Sequence, residues 1–293
     1  MRFGLSVYDV SASELADLAA AAEAAGFDTL WLGEHLLRPV DYRAVHPTRA
    51  PEQELAARIV GPQTRLTDPL IALAAAAVRT SRLQLATGIF VLPLRHPLTV
   101  ARAVLTLQEL AEGRVLFGVG VGWLREEFEA LGVPFASRAA RFEESLDILR
   151  QAWAGGPFEH HGAAYDFGPV ELTARPARVP LILGGNTAPA LRRAALRADG
   201  WFASGTPALA AAAELMARLD AAQAAAGRAV PLTTYVRVPP GADVTRYAQA
   251  GFSQVIFWAH ELCPPAPARW DRLAAAAAEL GVAQLGAAGG GRP

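Results

Sequence analysis

The chain of 293 residues contains no lysine, and all 27 of its basic residues are arginine. Schiff-base catalysis therefore has no amine to use, and a phosphate-binding P-loop has no lysine to reach its phosphates. Cysteine is almost absent as well. Cys263 stands alone, so neither an intramolecular disulfide nor a thiolate-rich metal site can form, which fits a reducing cytoplasm. The six histidines show no helical HxxxH or HxxEH spacing, and no metal site is expected. A Gly-x-Ser-x-Gly elbow is missing and Cys263 lies in a proline-rich stretch, so nucleophilic catalysis lacks an evident nucleophile. Neither sign of charge dominates: 27 basic against 28 acidic residues leave −1, too little for a broad field that would hold nucleic acid or anionic lipid. Apolar runs such as Leu70 to Val78 fall far short of the roughly 18 residues a membrane span needs. The expectation is a soluble, cytoplasmic protein without a nucleic-acid or membrane partner.

With 52% hydrophobic residues, the chain can bury a large core. Short β-rich runs alternate with longer segments of helical period almost from end to end, the signal for βα units around a parallel sheet. Strands are predicted at Arg2 to Val7, Thr29 to His35, Leu83 to Val91, Arg114 to Val121, Leu181 to Gly184, Gly200 to Ala203, Leu232 to Val238 and Gln254 to His260. Helices are predicted to start near Ser13, Asp68, Pro97, Ser137, Thr187, Thr206 and Val244, with a last one from about Ala268 to Leu280. Asp68-Pro69 and Ser137 supply N-cap chemistry. This α/β pattern matches a (β/α)8 TIM barrel of roughly 250 residues plus insertions, with a doubly wound sheet as the structural alternative. The insertions are Leu36 to Thr67, after strand 2, and Gly155 to Pro180, after helix 4. The first is read as a lid or a plain surface excursion, the second as a small hairpin with packing duties. One barrel domain is expected over residues 1–283, followed by a disordered low-complexity tail over 284–293.

Some residues could carry chemistry. Gly118, Gly120 and Gly122 recur at period two in the fourth strand, leaving one strand face bare. Either a flat ligand or another piece of backbone can approach there. Gly184, Gly185, Asn186 and Thr187 form a strand–glycine turn–helix start that suits a phosphate, or serve as an ordinary capped turn. His35 closes the second strand after Glu34, where barrel chemistry occurs, as a proton donor or acceptor or as a structural residue. His260 and Glu261 end the eighth strand in the same way. Gly88, inside a β-branched run, suggests a bulge. Trp31, Trp201 and Trp258 read as core, whereas Trp123 at a strand exit could face a ligand.

The ordered motifs AAGFDTLWLGEH from Ala24, TSRLQLATGI from Thr80, GRVLFGVGVGW from Gly113 with Glu126-Glu-Phe and LGVPF from Leu131, Arg141-Phe-Glu-Glu, and Leu183-Gly-Gly-Asn with Asp199-Gly-Trp resemble the luciferase-like monooxygenase superfamily. The version here is most similar to the branch assigned to the deazaflavin coenzyme F420. The resemblance implies a tricyclic ring at the C-terminal mouth against the third strand, with Thr87, Gly88 and Ile89 beside it and a non-prolyl cis peptide at Gly88-Ile89. His35 becomes a proton donor or ring contact. The phosphate end maps to Gly120, Val121 and Gly122 with Gly184 to Thr187, and Glu34, Trp123 and His260 remain substrate candidates. Some deazaflavin dehydrogenases of the superfamily carry an acid where this chain has Trp123, which argues against sugar-phosphate dehydrogenation of that type.

The leading expectation is hydride transfer between coenzyme F420 and a small organic substrate. The alternative is an FMN-dependent two-component monooxygenase that uses O₂ and a separate flavin reductase. A non-catalytic flavin-binding barrel and an acid–base isomerase stand further back. A homodimer through the Ala-rich faces of Leu70 to Val78 and Ala101 to Leu110 is expected, although ordinary core packing explains those faces equally well.

Overall fold

Eight parallel strands close on themselves, as the alternation predicts, and the doubly wound alternative is set aside. The computed structural model describes residues 1–48, 60–239, 241–263 and 270–282. In chain order the strands are β1 (Arg2–Val7), β2 (Thr29–Leu32), β3 (Gln84–Thr87) with its continuation β4 (Phe90–Val91), and β5 (Val115–Gly120). The hairpin strands β6 (Phe158–His161) and β7 (Asp166–Val170) follow, then β8 (Leu181–Gly184), β9 (Gly200–Ala203), β10 (Thr233–Arg237) and β11 (Gln254–Trp258). β1 pairs with both β2 and β11, and β3 pairs with β5 at Leu85–Val115 and Ala86–Leu116, which completes the ring. β6 and β7 form the expected antiparallel hairpin outside the wall.

The helices are α1 (Ala12–Ala24), α2 (Pro69–Ala77), α3 (Pro97–Leu110), α4 (Arg125–Ala130), α5 (Arg138–Ala154), α6 (Ala188–Arg197), α7 (Leu209–Ala225), α8 (Val244–Gln249), α9 (Ala259–Leu262) and α10 (Leu273–Glu279). Their starts follow local chemistry. Ser11 and Glu14 form a reciprocal capping box on α1, and the Asp68 carboxylate accepts from the Leu70 and Ile71 amides ahead of Pro69. Ser137 departs from expectation: its hydroxyl donates to the Pro134 carbonyl at 2.8 Å, and α5 starts without a side-chain cap.

Two concentric cores hold the barrel. Outside the wall, Phe3, Leu5 and Val7 of β1 pack with Leu15, Leu18 and Ala22 of α1. Inside it, Trp31, Ala86, Leu116, Ile182, Phe202, Tyr235 and Ile256 form one layer, each from a different strand. The Trp31 ring lies 4.9 Å from Phe202 and 4.8 Å from Tyr235, so aromatic area fills the axis. Each fully buried side chain of this size contributes about 1.5–3 kcal/mol. Below that layer Thr29 Oγ1 accepts from Trp31 Nε1 at 2.7 Å and from Gln254 Nε2 at 2.9 Å, a polar plug across the N-terminal end. Ligand access is left to the C-terminal mouth.

Three strand ends differ from the expected boundaries. The third strand is not continuous: it breaks at a cis Gly88-Ile89 peptide, after which Phe90 and Val91 pair with Val119 and Gly120 of β5. β2 stops at Leu32, so Glu34 and His35 belong to the loop beyond it, and β11 stops at Trp258, with His260 inside α9. The expected tail over 284–293 lies outside the described residues, as do 49–59 of the segment after β2. Among the described residues no helix is long and apolar enough to cross a membrane, and no three His, Cys, Asp or Glu side chains group to hold a metal ion.

Candidate active site

Two buried ion pairs organise the β2 side of the mouth. Glu127, from α4, places Oε2 2.9 Å from His35 Nδ1 and accepts the Leu36 amide on Oε1 at 2.7 Å. One carboxylate thus fixes both the imidazole and the backbone that carries it. An ionised carboxylate only accepts, so Nδ1 is the donor in this pair and Nε2 is the ring nitrogen left over. Nε2 has no hydrogen-bond partner among the described residues. Trp123 meets the imidazole edge-on at 5.5 Å and Tyr8 does so at 6.3 Å, which locks the ring plane.

Glu34 has a different occupation from the substrate contact expected of it. Its side chain is fully enclosed; Oε1 accepts from Arg95 Nη2 at 2.5 Å and Oε2 accepts the Val91 amide at 2.7 Å. Burial pushes its carboxyl up from the usual range and Arg95 pulls it back. The pair ties the loop after β2 to β4, so it is a brace for the wall.

Tyr8 follows β1 and faces inward, in alternation with Val7. Its hydroxyl is buried without a partner among the described residues, and burial, then the Glu127 and Glu34 carboxylates, push the phenol well above its ordinary range. Ser6 Oγ, one strand repeat below, is also buried without a partner among the described residues.

The glycine stripe is explained by packing. A Cβ at Gly118 would stand 2.0 Å from the Thr87 carbonyl oxygen, and one at Gly184 would stand 2.8 Å from Ile89 Cδ1. Gly120 likewise faces Ile89, and Gly122 faces Val91 and Phe128. The bare face therefore receives the break in the third strand, and Ile89 is the side chain that occupies it. Thr87 is buried and donates to the Gly118 carbonyl at 2.7 Å, while Val121 packs against the outer core. Of this group, Ile89, Gly120, Val121, Gly122 and Gly184 are partly exposed, whereas Thr87, Gly88 and Gly118 are buried.

At the turn after β8, Asn186 is committed to its neighbour. Its Nδ2 donates to the Ser204 carbonyl at 3.0 Å and its Oδ1 accepts the Ser204 amide at 2.9 Å, a latch between the β8 and β9 ends. Thr187 stands at the N-cap of α6 without making a side-chain cap bond, and Gly185 takes φ +120°. The segment after β2 crosses the mouth. His46 lies 5.1 Å from the Trp123 ring, and a Cβ on Gly205, beyond β9, would come within 2.9 Å of Thr48 Oγ1. His260 is exposed and sits 5.5 Å from Trp258. Trp258 is not core as expected: it is half-buried at the mouth, with Arg237 4.5 Å above its ring. Sequence reasoning missed Glu127, Tyr8 and Arg237. The motif Glu126-Glu-Phe contained the first, and strand alternation past Ser6 and Tyr235 would have pointed both others inward.

A closed (β/α)8 barrel with a carboxylate-oriented histidine and unpaired inward polar groups at its C-terminal rim defines an enzyme of the barrel class. The chain belongs to the luciferase-like monooxygenase family, whose model matches residues 2–246. It is 34% identical over 265 residues to an uncharacterised protein of Mycobacterium tuberculosis, covering 88% of this chain and 91% of that one. It is 31% identical over 269 residues to an F420-dependent glucose-6-phosphate dehydrogenase of Nakamurella multipartita, covering 88% and 72%. Among solved structures, the coenzyme F420-dependent tetrahydromethanopterin reductase of Methanopyrus kandleri superposes with TM-score 0.72 at 18% identity, over 94% of this chain and 97% of that one. The oxygenating constituent of 3,6-diketocamphane monooxygenase from Pseudomonas putida, in complex with FMN, gives 0.64 at 21% identity, over 81% and 66%. At these identities the two structures establish the shared fold.

Proposed function

We propose that the protein is an oxidoreductase that passes a hydride between coenzyme F420 and a small organic substrate at the barrel mouth, with His35 moving the coupled proton. The observation that carries this reading is the His35–Glu127 pair, which leaves Nε2 unpartnered on the rim. The F420-dependent relative and the F420-dependent structural neighbour support that branch. The residues present fit such a group. Among the described residues Ser6 Oγ and Tyr8 Oη are buried donors without partners, able to meet ring carbonyl or nitrogen acceptors, and Gly33 carries no side chain beside the Gly88 carbonyl.

Bound there, a deazaflavin supplies a two-electron hydride acceptor or donor. The chain would supply the rest. His35 Nε2 takes the proton from a substrate hydroxyl in one direction and returns it to a carbonyl oxygen in the other, while Glu127 stabilises the imidazolium. Trp123 and the segment through Thr48 exclude water from that transfer. Ile89 and Gly88 would shape the wall beside the ring, and the turn from Gly184 to Thr187, at the α6 N-terminus, would hold the phosphate together with Gly120 and Gly122. A homodimer would use the exposed Ile71 and Val78, since Ala72, Ala76 and Ala77 of α2 are buried against the barrel.

The FMN-bound neighbour favours a second reading, an oxygenase fed by a separate flavin reductase. Titrating the purified protein with both cofactors separates them. F420 binding is expected to exceed FMN binding at least tenfold. Tight FMN binding with no measurable F420 affinity would reject the first reading, and binding of neither would reject both.

A further inference from the structure

Arg237 is a charged side chain built into the barrel mouth with no acidic side chain among the described residues to neutralise it. It ends β10, two residues beyond Tyr235, and therefore faces the interior like that tyrosine. Its guanidinium sits 5.0 Å from the Phe202 ring and 4.5 Å from the Trp258 ring, Nε is enclosed without a hydrogen-bond partner, and no described residue forms an ion pair with it. Burial alone draws its pKa down to about 10, with no charged neighbour contributing, so it stays protonated at neutral pH. Removing an arginine from water without an opposing charge is costly, and aromatic faces return only part of that cost. Proteins keep such a group where an anion completes it.

The position identifies which anion. Around the ring β10 lies opposite β3, four strands away in either direction, so Arg237 faces the Gly88-Ile89 wall across the mouth. On the reading given above, that wall takes the redox ring and the turn after β8 takes its phosphate. Arg237 is then left for whatever is bound between. A single guanidinium with no second cation acting on it matches a monoanion in charge, and its planar fork matches a carboxylate in shape.

We infer that Arg237 is a substrate-recognition residue, and that the substrate carries a carboxylate which docks on its guanidinium between the Phe202 and Trp258 rings, opposite the Gly88-Ile89 wall. The inference rests on the redox reading only for its assignment to substrate; the carboxylate site itself is independent of it.

Benzoate is a suitable probe, with benzyl alcohol as its neutral match and inorganic phosphate as a multiply charged control, titrated calorimetrically at constant ionic strength. The wild-type protein is expected to bind benzoate at least tenfold more tightly than either control. Arg237→Met should abolish that preference, Arg237→Lys should keep part of it, and F420 affinity should change less than threefold in both. The melting temperature of Arg237→Met should hold or rise, because an unpaired, half-buried charge is removed. Equal benzoate binding by the wild type and Arg237→Met would overturn the inference. Binding of phosphate that is tighter than that of benzoate and is lost in Arg237→Met would overturn the carboxylate class, and a matching loss of F420 affinity would assign the arginine to the cofactor. Arg237-dependent benzoate binding by a protein that binds neither F420 nor FMN would sink the redox reading and leave the carboxylate site standing.

Discussion

The two sides of the barrel mouth treat charge in opposite ways. Beside β2 each ionisable group meets its complement: His35 faces Glu127, and Glu34 faces Arg95. Beside β10 the Arg237 guanidinium rests on aromatic rings with no counter-charge among the described residues. Glu34, His35 and Glu127 are buried, whereas Arg237 is half-buried with its Nε enclosed. The difference is that one set of interactions is complete within the chain and the other is not, and only an incomplete set calls for a ligand. On the complete side the unmet groups among the described residues are His35 Nε2, Arg95 Nη1 and the Tyr8 hydroxyl, none of them a charge without its complement.

Four substitutions probe this contrast. His35→Ala should have the largest effect, lowering kcat about 10²- to 10⁴-fold while F420 affinity stays within about threefold. Glu127→Gln should lie between that variant and wild type. With its carbonyl still accepting the Leu36 amide, its NH₂ would face Nδ1 and force the proton onto Nε2, the wrong tautomer. Steady-state kinetics that leave either variant at wild-type kcat would remove the proton-transfer role.

Arg95→Met tests the complete side as structure. It strands a buried carboxylate and should cost about 3–5 kcal/mol of stability, where Arg237→Met should cost nothing. The pH dependence gives the sign. Burial holds the folded Glu34 carboxyl above its unfolded value, so its contribution is present below the unfolded pKa and lost as pH rises through the folded one. Arg95→Met enlarges that difference, so its melting temperature should fall more steeply than wild type from acid to neutral pH. A flat profile, or no destabilisation, would show that the brace is not needed.

Glu23→Gln, away from both sides, should have the smallest effect. Burial raises the Glu23 carboxyl, but the amides of Leu83, Arg82 and Ser81 outweigh it and set the net shift downward. That stability is present above the unfolded pKa, about 4.3, and is lost as pH falls through the folded value. The group is partly exposed, so the loss should stay below about 1 kcal/mol and appear as a shallower acid limb in thermal melts. Any change in F420 affinity would mean that the base of the barrel is coupled to its mouth.

The barrel was legible because strand and helix periods alternate so completely. Its boundaries were less so, since a run such as Leu83 to Val91 carries no local mark of where its hydrogen bonds change partner. Gly118 and Gly120 announced a close approach, but not whether a ligand or Thr87 and Ile89 of the third strand would make it: absent side chains specify space and leave its occupant open. His35 was legible by position. Its partner Glu127 was not, because a contact spanning 92 residues depends on α4 folding back over the mouth. Asn186 was legible as a turn residue, yet its latch to Ser204 needed the neighbouring strand in place.

The plug of Thr29, Trp31 and Gln254 has a kinetic consequence. With the floor sealed, the barrel is a blind well, and whatever enters must leave through the same doorway. Two molecules sharing that doorway cannot exchange independently. The deeper one arrives first and departs last, so binding should be ordered, and the shallower occupant should slow escape of the deeper one.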